Sequence, residues 1–339
     1  MQSEGGQQVA HEWPVEDLVQ IAGCPICKSA DRTLLHQGAE DWAFGVAPGR
    51  WDYWLCGQCK CVYLSPRPTA VSIGRAYRTY YTHSEKTGDS LFGRLRARWK
   101  NERLSCLFNR PVGPGLGLPG ILRPWVESRA SRLDPPFGWR EIVEAPAGRL
   151  LDVGCGAGST MSFAQSQGWE VLGIEPDERA VAHAQTQGLS VHSGGYELMR
   201  RFVAEFDCVV CSHVIEHVFD PRDLIGQCVD VLKPGGRLIL STPNASSRVH
   251  RQFGPYWRGL EAPRHLVLFS LDALRSMLEE TGFDVDLRGC PVDQTVRGSS
   301  RIARGVKKKG RITSDRIRSA GAALQGYDED FINIVAVRR

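Results

Sequence analysis

The feature that most constrains the fold is a short apolar run that ends in three alternating glycines. It reads Leu-Leu-Asp-Val-Gly-Cys-Gly-Ala-Gly over residues 150–158, and a helix-like segment, 159–167, follows it. Glycine permits positive φ and lets the backbone approach a ligand closely, because it has no Cβ. The first N–H groups of the next helix lack intrahelical partners and face the same point. The pattern predicts a buried strand, a ligand-binding turn and a helix.

Apolar runs and helical patterns alternate after this turn. The predicted strands are 171–174, 206–211 and 236–241, and the predicted helices are 177–186 and 221–232. Such alternation predicts an α/β fold, a largely parallel sheet with helices on both faces. Ligands of these sheets bind at the carboxyl ends of the strands. The glycine turn marks that edge.

Four cysteines form two pairs near the N-terminus, Cys24 with Cys27 and Cys56 with Cys59. Two residues inside each pair let one turn direct both thiolates at one ion, so the spacing predicts a zinc ribbon. Four thiolates leave no open coordination position, so the predicted Zn²⁺ is structural. Cys61 lies close enough in sequence to compete as a ligand.

Composition limits the classes of protein that fit. A chain of 339 residues exceeds the ~250–300 at which single cores stop growing. We therefore predict three segments: 1–81, the ribbon with a tyrosine-rich helix; 82–146, a helical connector; and 147–339, the α/β unit. The net charge of +4 is mild and gives no support to a nucleic-acid partner. No run approaches ~20 apolar residues and no signal peptide is apparent, so we expect a cytoplasmic protein without a transmembrane segment.

Three further segments are open to two interpretations each. Residues 71–81 form a predicted helix with Tyr77, Tyr80 and Tyr81, which either pack or form a lid over a polar substrate. Residues 91–108 form a predicted basic amphipathic helix, either docked with a solvated basic face or directed at a membrane surface or an anionic ligand. The basic stretch 297–318 is either a solvated face or a contact for an anionic acceptor or carrier.

Two carboxylates border the glycine turn. Glu175 directly follows the second predicted strand, where its carboxylate can accept hydrogen bonds from both hydroxyls of a ribose. Asp152 precedes the first glycine, where a carboxylate is poorly placed beside a pyrophosphate but attracts a cationic amino acid or sulfonium. The two residues together favour a cationic nucleoside ligand over a dinucleotide.

Four segments in order resemble the motifs of class I S-adenosylmethionine-dependent methyltransferases. They are the glycine turn, Gly-Ile-Glu-Pro, Phe-Asp-Cys-Val-Val-Cys-Ser-His-Val-Ile-Glu-His-Val and Leu-Lys-Pro-Gly-Gly-Arg-Leu-Ile-Leu-Ser-Thr-Pro-Asn, between residues 149 and 244. The resemblance implies a Rossmann-like sheet of seven strands whose last strand, near residues 330–337, is antiparallel. It also implies S-adenosylmethionine as cofactor. The implied cofactor-binding residues are Asp152, Gly154, Cys155, Gly156 and Gly158, then Glu175 and Pro176 beside the ribose, Ser193 and Gly194 beside the adenine, and His213.

The ribbon, its Pro66-Arg67-Pro68 end and the tyrosine-rich segment make the chain similar to bacterial ribbon-bearing methyltransferases that act on nucleotide-linked deoxysugars. The resemblance implies a small-molecule acceptor, such as a nucleotide-linked or carrier-linked sugar, methylated on carbon or oxygen. Proton removal needs a base, and His265 and His217 are the candidates; His217 alternatively orients its loop. His265 lacks the adjacent glutamate of the sugar C-methyltransferases, which leaves the acceptor atom open.

Two other functions remain open at this point. An RNA or protein acceptor, recognised by the ribbon, would keep the chemistry and change the substrate. The ribbon carries Asp31, Glu40, Asp41 and Asp52, which match phosphate poorly. A cofactor-binding scaffold without catalysis is the third alternative, and the intact glycines, Asp152 and Glu175 disfavour it.

Overall fold

The computed structural model describes residues 13–78, 91–130, 135–289 and 329–339. Tyr80, Tyr81 and the basic stretch 297–318 lie outside these residues. Within them the chain forms one large α/β unit, a ribbon built on the cysteine pairs, and two helices that connect them.

A mixed sheet of seven strands forms the centre of the molecule. Its order is β12-β13-β10-β9-β6-β7-β8. The strands are β6 Arg149–Val153, β7 Glu170–Glu175, β8 Val191–Ser193, β9 Phe206–Ser212, β10 Leu232–Pro243, β12 Phe283–Arg288 and β13 Phe331–Arg338. Strand β13 is antiparallel to both of its neighbours, and the β10–β9–β6–β7–β8 pairs are parallel. The predicted α/β sheet with an antiparallel last strand is confirmed.

The sheet is buried on both faces. Successive side chains of a strand point in opposite directions, so each central strand contributes residues to two apolar clusters. Leu151 and Val209 pack into the cluster that includes helix residue Leu224. Leu150 and Val210, each one residue away, pack into the cluster on the other face. The helices of this unit are α3 Trp139–Glu144, α4 Ser159–Ser166, α5 Glu178–Thr186, α6 Pro221–Val231, α7 Arg248–Phe253 and α8 Leu271–Thr281.

Polar caps fix where these helices begin. The side chain of Asp177 accepts a hydrogen bond from the N–H of Arg179, and Asp220 caps α6 with Pro221 at its first position. Ser270 caps α8 in the same way. Each cap satisfies N–H groups that a helix leaves unpaired, so the loops that precede these helices at the carboxyl edge of the sheet are held in place.

The ribbon is not an isolated module. Its sheet has the order β11-β4-β3-β2. The strands are β2 Arg32–Ala39, β3 Trp51–Cys56, β4 Val62–Leu64 and β11 Val267–Leu268, and a separate pair joins β1 Leu18–Val19 to β5 Arg67–Pro68. Strand β11 belongs to the α/β unit by sequence, yet it pairs with β4. The two units therefore share a sheet as well as an apolar cluster that includes Tyr53 and Trp257.

The connector contains the helix that the sequence predicts there, whereas the tyrosine-rich segment before it departs from the prediction. Helix α1, Leu91–Phe108, has the predicted bounds, and a second helix, α2, spans Arg123–Ala130. In the described part of the predicted helix 71–81, residues 71–78, the chain forms instead a 3-10 helix, Ile73–Tyr77. The Thr69 and Ser72 hydroxyls bond the local backbone, and Ser72 donates to the Asp17 carbonyl; such bonds compete with an α-helix. No described helix is long and apolar enough to cross a membrane.

Candidate cofactor and acceptor site

The glycine turn has the geometry that the sequence predicts. Strand β6 ends at Val153 and α4 begins at Ser159, with positive φ at Gly154 (68°), Gly156 (54°) and Gly158 (81°) between them. A Cβ on Gly154 would lie 2.5 Å from Cγ2 of Val214. Both the backbone conformation and the packing therefore exclude a side chain at this position.

Glu175 ties the turn to the end of β7. Its Oε2 accepts a hydrogen bond from the N–H of Gly156 at 2.8 Å, and its Oε1 accepts one from the N–H of Asp177 at 2.8 Å. A carboxylate has about four acceptor sites, so both oxygens retain lone pairs. The residue can hold the turn in shape and still accept hydrogen bonds from two ribose hydroxyls.

Asp152 lies fully within the protein beside this carboxylate. Burial, and secondarily the negative charge of Glu175, raise the pKa of Asp152 to about 8. Two neighbouring buried carboxylates repel each other, and a bound cation would relieve that repulsion. The site is therefore electrostatically suited to a cationic ligand, as the sequence predicts.

The other predicted cofactor residues contribute mainly backbone. The thiol of Cys155 faces Gly173, where a Cβ would lie 2.6 Å from Sγ, so Cys155 offers only its peptide groups to a ligand. Gly194 donates its N–H to the Glu175 carbonyl at 3.0 Å, which places the end of β8 against β7. Ser193 and Pro176 are exposed at these strand ends. All of these positions follow the carboxyl ends of parallel strands.

His213 begins the next loop along this edge. It has a positive φ of 57°, and its N–H donates to the Ser241 carbonyl at 2.8 Å. Its ring packs edge-on against Phe331. The left-handed conformation turns the chain away from β9 and directs the following residues toward the ribbon.

A cluster of Glu216, His217 and His265 occupies the space between this loop and the ribbon. The rings of His217 and His265 lie 4.6 Å apart. Glu216 accepts a hydrogen bond on Oε2 from the Thr242 hydroxyl at 2.9 Å, while its buried Oε1 lies 3.4 Å from His213 Nδ1 and 4.0 Å from His265 Nε2. The sequence analysis did not identify Glu216 as a site residue, although it directly precedes His217 in the motif.

A hydrogen bond to a backbone carbonyl assigns the tautomer of His265. Nδ1 of His265 must donate to the Gly259 carbonyl at 2.7 Å, because a carbonyl only accepts. The neutral ring therefore has its lone pair on Nε2, which lies 3.8 Å from Glu261 Oε2. Nδ1 of His217 lies 3.0 Å from both the Arg264 carbonyl and the Tyr77 hydroxyl.

Burial controls the protonation of this cluster. It lowers the pKa of His217 and of His265 to about 4, and mutual repulsion with His265 adds to the effect at His217. Burial opposes ionisation of Glu216, but the hydrogen bond from His213 and the neighbouring histidines outweigh it and lower the pKa to about 2. At neutral pH the cluster therefore consists of two neutral imidazoles and one carboxylate.

The ribbon holds the loop that carries His265. Arg264 and Asp41 form a bidentate ion pair, with Nη2–Oδ1 and Nη1–Oδ2 distances of 2.6 and 2.9 Å, and neither side chain is exposed. The Tyr53 hydroxyl lies 2.8 Å from the Leu260 carbonyl and 3.3 Å from that of His265. Ribbon residues therefore hold the loop that carries His265 in place.

The four predicted zinc ligands come together. The Sγ atoms of Cys24 and Cys59 lie 3.5 Å apart, those of Cys27 and Cys56 lie 3.4 Å apart, and all four lie within 4.8 Å of one another. Tetrahedral Zn²⁺ with Zn–S bonds near ~2.3 Å needs thiolates roughly 3.8 Å apart, so the cluster fits the ion. Cys61 is buried and bonds Cys56 through its carbonyl. Among the described residues, Glu216, His217 and His265 form the other group compatible with a metal ion.

Residues 127–287 match the family model described as "Methyltransferase domain". Two curated proteins share this similarity. A "Ubiquinone biosynthesis O-methyltransferase" of Aromatoleum aromaticum is 32% identical over 136 residues, 38% of this chain and 56% of that protein. A "Probable S-adenosylmethionine-dependent methyltransferase" of Mycolicibacterium smegmatis is 30% identical over 151 residues, 44% of this chain and 57% of that protein. The chain spans little more than half the length of these relatives.

Solved structures of methyltransferases also align with the chain. One from Archaeoglobus fulgidus has a TM-score of 0.41 and 21% identity, covering 63% of this chain and 94% of that one. Another, from Thermotoga maritima, has a TM-score of 0.41 and 19% identity, covering 73% and 94%. Residues 127–287 are therefore similar to methyltransferase domains, and the curated relatives include S-adenosylmethionine-dependent methyltransferases, the class that the sequence motifs resemble. The zinc ribbon and the sugar acceptor stay predictions.

Proposed function

We propose that the protein transfers a methyl group from S-adenosylmethionine to an oxygen of a small-molecule acceptor. The observation that carries the proposal is a single edge of the sheet, with a glycine turn and two carboxylates at one end and a neutral histidine with a free Nε2 at the other. The curated relative named an O-methyltransferase supports oxygen as the acceptor atom.

The cofactor is proposed to lie across the glycine turn. Asp152 faces its cationic methionine part, Glu175 accepts from its ribose hydroxyls, and the turn at Ser193 and Gly194 borders its adenine. The backbone at Gly154, Gly156 and Gly158 provides the close approach, while Cys155, Pro176 and His213 line the same edge. S-adenosylmethionine supplies an activated methyl group, so the protein mainly has to orient the acceptor and remove its proton.

His265 is proposed as the base. The acceptor hydroxyl gives its proton to Nε2, the oxygen bonds to the methyl carbon, and the carbon–sulfur bond breaks with its electron pair left on sulfur. Glu216 and Glu261 lie 4.0 and 3.8 Å from Nε2, so they stabilise the imidazolium that forms. General-base catalysis of this kind contributes about 10²–10⁴-fold. His217, whose Nδ1 contacts the Arg264 carbonyl and Tyr77, is proposed to position the acceptor and is the second candidate base.

A sugar or related metabolite is the proposed acceptor class, and a nucleotide-linked or carrier-linked form fits the resemblance. The acidic residues of the ribbon, including Asp31 and Asp52, oppose RNA as an alternative. The Cys24, Cys27, Cys56 and Cys59 cluster is proposed to hold a structural Zn²⁺ that keeps the ribbon in shape. A cytoplasmic location stays a prediction.

An acceptor screen with methyl-labelled cofactor tests this function. Nucleotide sugars, phenolic alcohols and RNA are offered in parallel to the wild-type protein and to His265→Ala. We expect label transfer to one of the small molecules, and a loss of about 10²-fold or more in the variant with cofactor binding retained. The exposed His192→Ala is the matched control and should keep full turnover. Transfer to RNA alone, or full activity of His265→Ala, contradicts the proposal.

A further inference from the structure

Helix α1 has two apolar faces, and one of them points outward. Leu91, Leu95 and Trp99 follow at four-residue spacing, so they lie on one side of the helix. Leu91 is 75% exposed and Leu95 is 46% exposed, and the adjacent Phe92 is 79% exposed. This is the outer face, and its apolar neighbours among the residues that the structure describes are Leu116 and the residues around α2.

The opposite face of α1 packs against the α/β unit. Leu104 is 1% exposed, and Phe108 packs against Phe163 of α4. Leu104 lies nine residues after Leu95 and Phe108 nine after Trp99, which is two and a half turns, so each pair is on opposite sides. Attachment of α1 to the sheet therefore does not require the outer residues to be apolar.

The outer face continues onto the segment around α2. Ile121 is 88% exposed, Leu122 is 39% exposed and Trp125 is 47% exposed. The rings of Trp99 and Trp125 lie 5.2 Å apart and join the two helices. Six of the eleven exposed large apolar residues in the described part of the chain lie in this one surface, so they are not scattered at random. Contiguous exposed patches of this kind mark contact surfaces.

Basic residues border this surface. Residues 91–130 contain eight arginines and lysines and two glutamates, a net charge of +6, although the whole chain carries only +4. Glu102 accepts from the Leu116 N–H and Glu127 pairs with Arg123, so both acids are engaged locally. On the helix, exposed Arg96 and Arg98 lie 100° and about 60° from Leu95 in opposite directions, one on each side of the apolar stripe.

We propose that this outer face of α1 and α2, defined by Leu91, Phe92, Leu95, Ile121, Leu122 and Trp125, docks on an anionic lipid bilayer surface. An apolar stripe flanked by arginines is the arrangement of helices that lie in a membrane interface, with the stripe in the acyl boundary and the guanidinium groups at the phosphates. Aromatic residues such as Trp99 and Trp125 favour the same boundary. A nucleic acid would match the arginines but not the six apolar side chains.

Vesicle flotation with the full-length protein tests the proposal. Vesicles of phosphatidylcholine alone are compared with vesicles that contain phosphatidylglycerol, at low and high salt. We expect binding only to the anionic vesicles, and weaker binding in high salt. Arg96→Gln with Arg98→Gln should reduce the partition coefficient about fivefold for each basic residue removed, and Phe92→Ser with Leu95→Ser should reduce it further.

Matched controls separate docking from folding. Val203, 73% exposed, and Arg201 lie outside the surface, so Val203→Ser and Arg201→Gln should bind vesicles like the wild type. Every variant should keep its thermal midpoint and its affinity for S-adenosylmethionine. Absence of binding to anionic vesicles overturns the proposal, as do equal losses in control and surface variants. A dimer that dissociates on Phe92→Ser with Leu95→Ser, without vesicle binding, assigns the surface to a second copy instead.

Discussion

The buried ion pair between Arg264 and Asp41 provides a direct test of how the ribbon supports the loop that carries His265. Asp41→Asn keeps the side-chain volume but removes the charge that faces the guanidinium at 2.6 and 2.9 Å. Both side chains have zero exposure, so no water replaces the lost partner. Breaking a buried pair in this way typically costs about 3–5 kcal/mol because an uncompensated charge stays inside the protein.

The free energy of unfolding, measured by urea titration and tryptophan fluorescence, should fall by that amount at pH 7. Burial raises the pKa of Asp41, but Arg264 and the backbone N–H groups of Ala47 and Val46 outweigh it and lower the pKa below its usual value. The pair therefore stabilises the fold above pH ~4, the ordinary range of an aspartate, and its contribution disappears as pH falls through the lowered pKa. The difference between variant and wild type should shrink in acid accordingly.

An exposed pair serves as the control for this measurement. Arg222 and Glu280 are 3.0 Å apart but 43% and 59% exposed, so Glu280→Gln should cost no more than about 1 kcal/mol. Asp41→Asn should also lower methyl transfer more than cofactor binding, because Arg264 precedes His265 and its carbonyl contacts His217. A cost below about 1 kcal/mol for Asp41→Asn, equal to that of the control, would refute the reasoning.

Three other predictions concern protons and metal. Burial lowers the pKa of His250, in the buried pair with His36, to about 4, as it does for His217 and His265. The unfolded chain binds these protons below pH ~6.5, so stability is full above 6.5 and each of the three histidines lowers it by about 1.4 kcal/mol per pH unit below that value. Urea midpoints between pH 8 and 5 should follow this slope, and a flat profile contradicts it. Binding of S-adenosylmethionine should release a proton below pH 8, because the bound cation favours the ionised form of Asp152. Calorimetric titration in buffers of different ionisation enthalpy measures this proton release. The variant Asp152→Asn should abolish it. Metal analysis should find one Zn²⁺ per chain in the wild type and in Cys106→Ser but none in Cys27→Ser, and retention of zinc by Cys27→Ser rules out the proposed ligand set.

The sequence predicted elements whose cause is local. The apolar strands, the glycine turn and the cysteine spacing are short patterns, and α1 has the predicted bounds, Leu91–Phe108. The antiparallel strand β13 also lies where the family resemblance implies it.

Such local patterns do not predict contacts between residues that are far apart in the sequence. Strand β11 has two residues and carries no period, so its pairing with β4, about 200 residues earlier, has no local sign. The same holds for the ion pair between Asp41 and Arg264, and for the contact of Tyr77 with His217. These contacts join the ribbon to the loops that carry His217 and His265. Glu216 was missed for a different reason, because its role depends on burial that the motif does not reveal.

We propose that the carboxyl edge of the sheet binds S-adenosylmethionine and that His265 assists the transfer of its methyl group. Calorimetric titration of the wild type and of His265→Ala with the cofactor, followed by single-turnover methyl transfer to the acceptor found in the screen, tests it most directly. We predict one cofactor per chain with similar affinity in both proteins, and methyl transfer only in the wild type. Absence of cofactor binding to the wild type, or equal transfer by both proteins, would contradict the account.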